Sequence, residues 1–560
     1  MAYITLESSK MECFYMQKKS EPTRNLVWLT VNSSYSHSSL ALPLIHARCC
    51  EIPGWHWEHC ETTIAEDPLE TVCRLEKSAP DLLCISLYLF NRKYVLDIVR
   101  RFHVLHPECP IVAGGPECLG EGAASLLTEN PFLYAVFRGE GEQLFHDYLQ
   151  DFENQSPHQI LPAEGNAVFD DWESVSYPVN DPFFRNDKPF IQYETSRGCP
   201  MGCTYCTSGK TQYRFKNPDT VCEELTALRS AGVREIRLLD RTFNLPLARG
   251  AALLKLFREN FPEIHFHLEV HPQFLDENLK NEFRHALPGQ LHIEAGIQSL
   301  SKDVQQAIGR KSDPADALSG LEFLCRCSAF ETHVDLLAGL PEQSFEGLAD
   351  DVSVLMRTAP AEIQLEVLKI LPGTPLQQTA AAQHLRSNPF TPYDVMSNGC
   401  MSPDHILLAR KLSRLLDLTY NHGSLHPVIV KMAEENTEAL SLLLEYFLSK
   451  GLELNTLYDL KKRFLLLAEF FSSHSFPSAA AELAFQWICA GYPLDQTPCI
   501  QPEKIMFLPE QRHFLSGREE SITERETKFW SLHSGRQSFY FAFNRKYSFN
   551  RPAAIWRNAE

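Results

Sequence analysis

Short apolar runs alternate with amphipathic stretches between residues 25 and 160. The runs have the composition of buried strands, and they lie at residues 26–31, 81–87, 110–115 and 135–137. Residues 94–103 carry apolar side chains at three- and four-residue spacing, and residues 39–50 form a second predicted helix. This alternation, with glycine turns after the strands, predicts an α/β domain with a doubly wound, Rossmann-like parallel sheet. Ligands of such sheets bind beyond the carboxyl ends of the strands.

A second α/β series follows between residues 187 and 400. Its apolar segments predict six strands, at residues 190–194, 235–239, 265–270, 292–295, 333–337 and 363–368. Helical patterns lie between these segments. Six strands with intervening helices predict a partial (β/α)6 barrel.

The remaining segments have different compositions. Residues 1–24 are polar and are predicted to be an irregular N-terminal extension, and the proline-rich residues 161–186 are predicted to be a linker. Strand patterns fade after about residue 400, so residues 401–560 are predicted to form a mainly α-helical domain. Within it, the aromatic and basic tail at residues 505–560 is interpreted as a docked irregular segment rather than a nucleic-acid contact.

Charge and composition narrow the class of protein. The chain has 560 residues, with 71 acidic and 52 basic side chains and a formal charge of -19. This balance argues against non-specific binding to nucleic acid. We find neither an apolar run of membrane-spanning length nor a signal-peptide pattern, and therefore expect a cytoplasmic protein without a membrane partner. In that compartment the 17 cysteines are expected to be mostly reduced thiols.

Three of these cysteines share a spacing that indicates chemistry. Cys199, Cys203 and Cys206 form a C-x3-C-x2-C pattern directly after a predicted strand. Three thiolates on one short loop can hold three irons of a 4Fe–4S cluster and leave the fourth iron open to a ligand. Gly198 and Gly202 let the loop wrap closely around a cluster. The alternatives are buried free thiols or a zinc site, which requires a fourth ligand that is not close in sequence.

The cysteine loop resembles that of the radical S-adenosylmethionine (SAM) superfamily. In that family the open iron binds SAM, and one electron cleaves SAM to a 5′-deoxyadenosyl radical. The resemblance covers about residues 187–400, and it departs at Asp240, where many members carry Gly-Gly-Glu; the cobalamin-binding branch commonly departs in this way. It implies SAM contacts at Tyr205, Asp240, Glu294, Gln298, Ser299, Gly339, Pro341 and Leu371.

The first predicted sheet resembles the cobalamin-binding domain that precedes many radical SAM cores. Glycines at strand ends let the backbone approach a large flat cofactor. The residues implied in cobalamin binding are Asn32, Tyr35, His37, Ser86, Gly114, Gly115, Pro116, Glu117, Gly139, Glu140 and Gly141. The Asp-x-His-x-x-Gly motif of other cobalamin domains is absent, and His37 is the nearest candidate cobalt ligand. Alternatively, cobalt has no protein ligand, or the domain has lost cobalamin.

The complete order of segments resembles a bacterial family with a C-terminal domain of unknown function. It implies a cobalamin-dependent radical SAM enzyme, and we expect methyl transfer to an unactivated carbon. The alternatives are a rearrangement or cyclisation without methyl transfer, or a non-catalytic cobalamin or cluster sensor. The expected partners are a small-molecule or peptide substrate and an electron donor such as flavodoxin or ferredoxin. The other cysteines, including Cys325 and Cys327, are interpreted as ordinary thiols.

Overall fold

The structure is a computed structural model that describes residues 23–209, 211–456, 458–506, 512–514, 527–534, 537–544 and 551–558. It divides into two compact units. The first contains the described residues up to Trp172 together with Tyr177–Lys188, and the second contains Glu173–Ser176 and the chain from Pro189 onwards. Most of the predicted N-terminal extension, residues 1–22, lies outside the described residues.

The first unit contains a six-stranded parallel sheet with strand order β2-β1-β3-β4-β5-β6. The order reverses between β1 and β3, so the predicted doubly wound sheet is confirmed. The strands are β1 (Arg24–Asn32), β2 (Trp55–Thr63), β3 (Leu82–Ser86), β4 (Ile111–Gly114), β5 (Leu133–Phe137) and β6 (Gln159–Leu161). The helices are α1 (Ala41–Cys49), α2 (Pro68–Ser78), α3 (Arg92–Leu105), α4 (Gly122–Glu129) and α5 (Gly141–Gln150).

Strand β2 was not predicted from the sequence. It lies at the edge of the sheet and is mostly half-buried, so its side chains alternate among aromatic, histidine and acidic types instead of forming an apolar run. The predicted linker also contributes to this unit. Asp181 Oδ2 lies 2.6 Å from His46 Nδ1, and Phe183 packs edge-on against the same imidazole.

The second unit begins with another six-stranded parallel sheet, with strand order β14-β13-β12-β11-β10-β7. All six strands match predicted segments, so the partial barrel is confirmed. The elements are β7 (Ile191–Tyr193), β8 (Ser196–Arg197), β9 (Arg214–Phe215), α6 (Pro218–Ser230), β10 (Glu235–Leu238), α7 (Leu247–Asn260), β11 (His265–Val270), α8 (Glu277–Arg284), β12 (Leu291–Gln298), α9 (Lys302–Ala307), α10 (Pro314–Cys325), β13 (Glu331–Ala338), α11 (Phe345–Thr358), β14 (Glu362–Val367), α12 (Pro375–Thr379), β15 (Arg386–Ser387) and β16 (Val395–Ser397).

The two faces of this sheet differ in chemistry. On β11, β12 and β13 a fully buried apolar residue alternates with a less buried one that is often polar. Apolar residues of β12 and β13 belong to a continuous core, whereas His267, Glu294 and Asp335 share the opposite face of the sheet. Polar side chains from adjacent strands are therefore gathered on one side of the sheet.

In the described part of the C-terminal region, five helices follow and confirm its helical character. They are α13 (Pro403–Leu418), α14 (His426–Glu435), α15 (Ala439–Ser449), α16 (Leu460–Ser473) and α17 (Pro477–Cys489). Buried residues of the barrel and of these helices belong to one hydrophobic cluster, which includes Leu336, Leu412, Phe464 and Trp487. The C-terminal region therefore shares its core with the barrel. Within the described residues, no helix is long and apolar enough to cross a bilayer.

The expectation of an irregular segment at residues 505–560 is wrong. The described part of this segment contributes to a five-stranded sheet with order β17-β19-β20-β21-β18, and its paired strands are antiparallel. Alternating aromatic residues supply the period-two pattern of a half-buried sheet, and Phe541 packs against Phe485 of α17. The strands are β17 (Glu503–Ile505), β18 (Arg512–Phe514), β19 (Thr527–Ser534), β20 (Gln537–Asn544) and β21 (Ala554–Asn558). Arg545 and Lys546, which made the tail basic, lie outside the described residues.

The shared core predicts that α13 is essential to the stability of the barrel. Leu412 is 0% exposed in this core, and Leu407 on the same helix is 51% exposed. We expect Leu412→Ala to lower the free energy of unfolding by about 2–5 kcal/mol because it leaves a cavity. Leu407→Ala is the matched control, with an expected change of about 0.5 kcal/mol or less. Urea unfolding followed by circular dichroism measures both, and equal shifts would contradict a shared core.

Candidate functional site

The three motif cysteines lie on one loop between β8 and β9, just after the carboxyl end of β7. Cys199 and Cys203 are buried and Cys206 is half-buried. Gly198 has a φ of 78°, and a Cβ there would lie 2.2 Å from the carbonyl oxygen of Gln212. A Cβ at Gly209, which the sequence did not single out, would lie 2.4 Å from the carbonyl oxygen of Cys203. The loop is therefore folded too closely on itself for other residues at these two positions.

Backbone hydrogen bonds attach the loop to distant parts of the barrel. The N–H of Thr204 donates to the carbonyl of Ile308 at 2.9 Å, just after α9. The carbonyl of Thr204 accepts from the N–H of Leu376 on α12 at 2.9 Å. The middle of the cysteine loop is thereby held between the segments that follow β12 and β14.

Asp240 holds the start of the same loop. Its carboxylate accepts the backbone N–H groups of Thr195 at 2.7 Å and of Ser196 at 3.0 Å, and it also accepts the hydroxyl of Thr195. The side chain is completely buried, and burial raises the pKa of Asp240. The structure thus places Asp240 beneath the loop.

A cavity of about 330 Å³ gathers several predicted SAM contacts. Tyr205, Glu294, Gln298 and Leu371 all line it, although they come from three separate segments of the chain. Asp335 and Gln364 complete its polar lining together with Glu366 and Lys369. The cavity thus has an aromatic side chain from the cysteine loop on one side and carboxylates from the sheet on the other.

Within the part of the chain that the structure describes, four predicted SAM contacts do not line this cavity. They are Asp240, Ser299, Gly339 and Pro341. The hydroxyl of Ser299 donates to Asp351 Oδ2 at 2.8 Å, and the N–H of Gly339 donates to Gln343 Oε1 at 2.8 Å. These contacts make the turns after β12 and β13 rigid. A direct role of these residues in SAM binding stays a prediction.

The cavity contains two carboxyl groups in direct contact. Glu294 and Asp335 hydrogen-bond to each other, and Nε2 of His267 lies 3.0 Å from Glu294 Oε2. The hydrogen bond from His267 lowers the pKa of Glu294, whereas burial and then the neighbouring Glu294 raise that of Asp335. Glu294 therefore loses its proton at a lower pH than Asp335 does.

In the first unit, the predicted cobalamin residues all lie at the carboxyl ends of the strands. Asn32, Tyr35 and His37 belong to the end of β1 and the loop after it, and Ser86 ends β3 on the other side of the reversal in strand order. The remaining residues end β4 or follow β4 and β5: Gly114, Gly115, Pro116, Glu117, Gly139, Glu140 and Gly141. This is the edge at which ligands of doubly wound sheets bind.

Close packing within the protein accounts for two of these glycines. Gly115 has a φ of 105°, and a Cβ there would lie 2.6 Å from the carbonyl oxygen of Leu87. Gly139 has a φ of 94°, and its Cβ would lie 2.3 Å from the carbonyl oxygen of Ala167. Both glycines are required where one loop crosses another, so their presence by itself indicates no cofactor.

The polar candidates in this unit are engaged in hydrogen bonds and ion pairs. Glu117 forms a buried ion pair with Arg92 at 3.0 Å, and Glu140 Oε2 accepts the N–H of Phe169 at 2.9 Å. Nδ1 of His37 lies 2.9 Å from the hydroxyl of Ser34, which holds the imidazole within its own loop. This local contact favours a loop-forming role for His37 over cobalt ligation.

Glu61 on β2 is a central residue that the sequence did not reveal. It accepts a hydrogen bond from Asn32 Nδ2 at 2.9 Å and pairs with Lys188 Nζ at 3.2 Å. The same Lys188 Nζ donates to the carbonyl of Tyr35 at 2.9 Å and lies 4.0 Å from the centre of the Tyr35 ring. The Tyr35 side chain remains 71% exposed, so the network fixes an aromatic ring at the ligand-binding edge.

Comparison with known proteins identifies part of the chain. Residues 193–355 match the model of the radical SAM superfamily. This chain carries a radical SAM domain. TokK of Streptomyces tokunonensis, a cobalamin-dependent radical SAM methyltransferase, is 22% identical over 349 residues, which cover 56% of this chain and 51% of TokK. The chain thus spans about half the length of the curated relatives that it matches.

Two solved structures share the fold. OxsB, a cobalamin-dependent SAM radical enzyme, superposes with a TM-score of 0.56 at 13% identity, covering 83% of this chain and 79% of that chain. TsrM of Kitasatospora setae, a radical SAM methyltransferase, superposes with a TM-score of 0.52 at 19% identity, covering 68% of this chain and 81% of that chain. At these identities the likeness establishes the fold.

The radical SAM domain has a donor set that fits the cofactors of its family. Three cysteines stand on one closely folded loop beside a cavity with aromatic and carboxylate walls. In the described part of the chain, no group of three or more His, Cys, Asp and Glu side chains converges on a single metal position. A 4Fe–4S cluster does not need such convergence, because separate irons take separate thiolates.

Arg310 is a site residue of the radical SAM domain that the sequence reasoning missed. Burial raises the pKa of the Cys203 thiol, and the positive charge of Arg310 opposes that shift and favours the thiolate. Nη2 of Arg310 donates to the carbonyl of Gly296, whereas its buried Nε finds no hydrogen-bond partner among the described residues. An orphaned cationic donor near the cysteine loop fits an anionic ligand group. The signal in the sequence was an arginine directly after Gly309 in the loop that follows α9.

The contacts of Asp240 predict its effect on the cluster. Asp240→Ala leaves two buried N–H groups without an acceptor, so we expect a loss of about 2–5 kcal/mol in stability and poor iron retention after reconstitution. Asp240→Asn keeps Oδ1, which accepts both N–H groups, and should retain iron. Iron content and the visible absorbance of the cluster measure the effect. Equal iron retention in the two variants would show that Asp240 does not hold the loop.

Proposed function

We propose that the protein is a cobalamin-dependent radical SAM enzyme that transfers a methyl group to an unactivated carbon. The observation that carries this proposal is the convergence of the three-cysteine loop with the cavity formed by Tyr205, Glu294 and Gln298. A 4Fe–4S cluster held by this loop would supply the electron that cleaves SAM to methionine and a 5′-deoxyadenosyl radical. The methyltransferase activity is proposed because the relatives TokK and TsrM are named as methyltransferases.

The side chains have separable roles in this proposal. Cys199, Cys203 and Cys206 hold three irons of the cluster. Glu294, ionised at neutral pH, accepts hydrogen bonds from ribose hydroxyls of SAM, and the Tyr205 ring packs against its adenine. Because burial raises the pKa of the Tyr205 hydroxyl, this side chain stays neutral beside the cysteines.

Cobalamin is proposed to bind the first unit at the carboxyl ends of its strands. The reversal of strand order between β1 and β3 and the fixed ring of Tyr35 support this location. OxsB and TsrM, which share the fold, have been solved with cobalamin bound. Since Ser34 already occupies Nδ1 of His37, we propose that cobalt takes no ligand from this imidazole nitrogen.

The substrate is proposed to bind a groove of about 990 Å³ in the second unit. This groove and the SAM cavity share Gln364, Glu366, Val367 and Lys369, all on β14 or just after it. Its other wall is formed by α13, which contributes Arg410 and further residues. A small polar molecule or a peptide fits a groove of this size and mixed charge, and the formal charge of -19 argues against nucleic acid. We further propose flavodoxin or ferredoxin as the electron donor and a cytoplasmic location.

Reductive cleavage of SAM tests the proposed chemistry. The anaerobically reconstituted chain, supplied with a reductant and SAM, should release 5′-deoxyadenosine. Cys203→Ala should lower that release by about a thousandfold or more, because one iron loses its ligand. Cys222→Ala is the matched control, since Cys222 is a half-buried cysteine on α6 outside the loop. Equal release from both variants would exclude catalysis by this loop.

Cobalamin dependence is tested separately. The 560-residue protein should retain cobalamin through gel filtration and should then form S-adenosylhomocysteine from SAM under reducing conditions. Without cobalamin, we expect no S-adenosylhomocysteine but continued release of 5′-deoxyadenosine. Retained cobalamin without S-adenosylhomocysteine would instead favour a rearrangement or cyclisation. A protein that retains no cobalamin would contradict the proposed role of the first unit.

A further inference from the structure

Three histidines and two carboxylates form a contiguous group on the inner face of the barrel sheet. His267 lies on β11, His292 and Glu294 lie on β12, and His333 and Asp335 lie on β13. The parallel register places His267 opposite His292, and Glu294 opposite His333. Only Glu294 and Asp335 among these five residues line the SAM cavity, so the histidines lie behind its carboxylate wall.

These side chains form a continuous chain of short contacts. Nδ1 of His292 lies 2.8 Å from Nδ1 of His267, and the two imidazoles are stacked with ring centres 4.9 Å apart. Nε2 of His267 lies 3.0 Å from Glu294 Oε2, and Glu294 in turn hydrogen-bonds to Asp335. At the far end, Nε2 of His333 lies 3.2 Å from Asp335 Oδ1.

The contact between two Nδ1 atoms restricts the protonation state of the histidine pair. A hydrogen bond there needs one nitrogen with a proton and one without. The ionised Glu294 requires a donor at Nε2 of His267, so a neutral His267 accepts at Nδ1 and His292 donates. Burial and the nearby His267 lower the pKa of His292, which keeps His292 neutral as this arrangement requires.

We propose that His267 is a positioning residue that holds the Glu294 carboxylate towards the SAM cavity, and that His292 sets the tautomer His267 needs. This inference rests on the proposed SAM site. With His267 donating to Oε2, the rotation of the Glu294 carboxylate is fixed before SAM binds. The fixed oxygens then accept ribose hydroxyls without a cost for ordering the side chain.

Two substitutions at His267 separate positioning from packing. His267→Phe fills the space but cannot donate, and we expect the dissociation constant for SAM to rise about tenfold. His267→Gln places an amide N–H close to the position of Nε2 and cannot take up a proton, so it should bind SAM within about threefold of the unmodified protein at pH 7.5. His265→Gln is the matched control, because His265 is an exposed histidine on the same strand.

The measurement is anaerobic equilibrium dialysis of SAM with the reconstituted 560-residue chain at pH 7.5. Iron content confirms that each variant retains its cluster. If His267→Phe loses part of its iron, its dissociation constant is measured on the cluster-containing fraction.

The outcomes separate the two levels of inference. If the unmodified protein binds SAM and His267→Phe binds it equally well, or if His267→Gln binds it as weakly as His267→Phe, the positioning role is overturned and the proposed function stands. If the unmodified protein with an intact cluster does not bind SAM, both are overturned. A change in His265→Gln as large as that in His267→Phe also overturns the inference, because the effect would then not depend on contact with Glu294.

Discussion

The cysteine loop depends on the buried carboxylate of Asp240. At the end of β7 the chain leaves the sheet, and the backbone N–H groups of Thr195 and Ser196 no longer pair with a neighbouring strand. Asp240, which follows β10, supplies the missing acceptor from within the protein. A loop whose first N–H groups donate to one carboxylate has much less conformational freedom than a loop without such a contact. The direction in which Cys199 leaves the strand is set by this contact.

Burying that carboxylate costs free energy, and the structure offsets the cost locally. Burial raises the pKa of Asp240, but its three donors and the nearby guanidinium of Arg249 favour the ionised form. Arg249 is itself buried, and its Nη2 donates to the carbonyl of Thr195 at 2.8 Å. Both backbone groups of Thr195 are thereby held by charged side chains. The opposite charges of Asp240 and Arg249 therefore balance each other beneath the loop that carries the cysteines.

On the inner face of the barrel, half-buried carboxylates are also paired with basic side chains. Three carboxylates there have a basic partner: Glu294 has His267, Asp335 has His333, and Glu269 has Arg241 at 3.2 Å. Such pairing allows acidic side chains to remain half-buried beside the cavity. Gln298 belongs to the same face, with a φ of 68° at an irregularity in the pairing of β12 with β13. A residue in this backbone region is strained unless its surroundings hold it, and the strain occurs at the cavity wall.

The sequence by itself determined the features that depend on neighbouring residues. Cys199, Cys203 and Cys206 stand close together because the chain is short between them, and the apolar runs identified most of the parallel strands because buried strands exclude polar side chains. The polar edge strand β2 and the aromatic C-terminal sheet were not predicted, because half-buried strands contain few long apolar runs. Only the tertiary structure decided that Asp240 lies under the loop, that Gly115 and Gly139 serve chain crossings, and that His267 meets Glu294. These contacts join residues far apart in sequence, and their partners are fixed by strand register and packing, which no local pattern encodes.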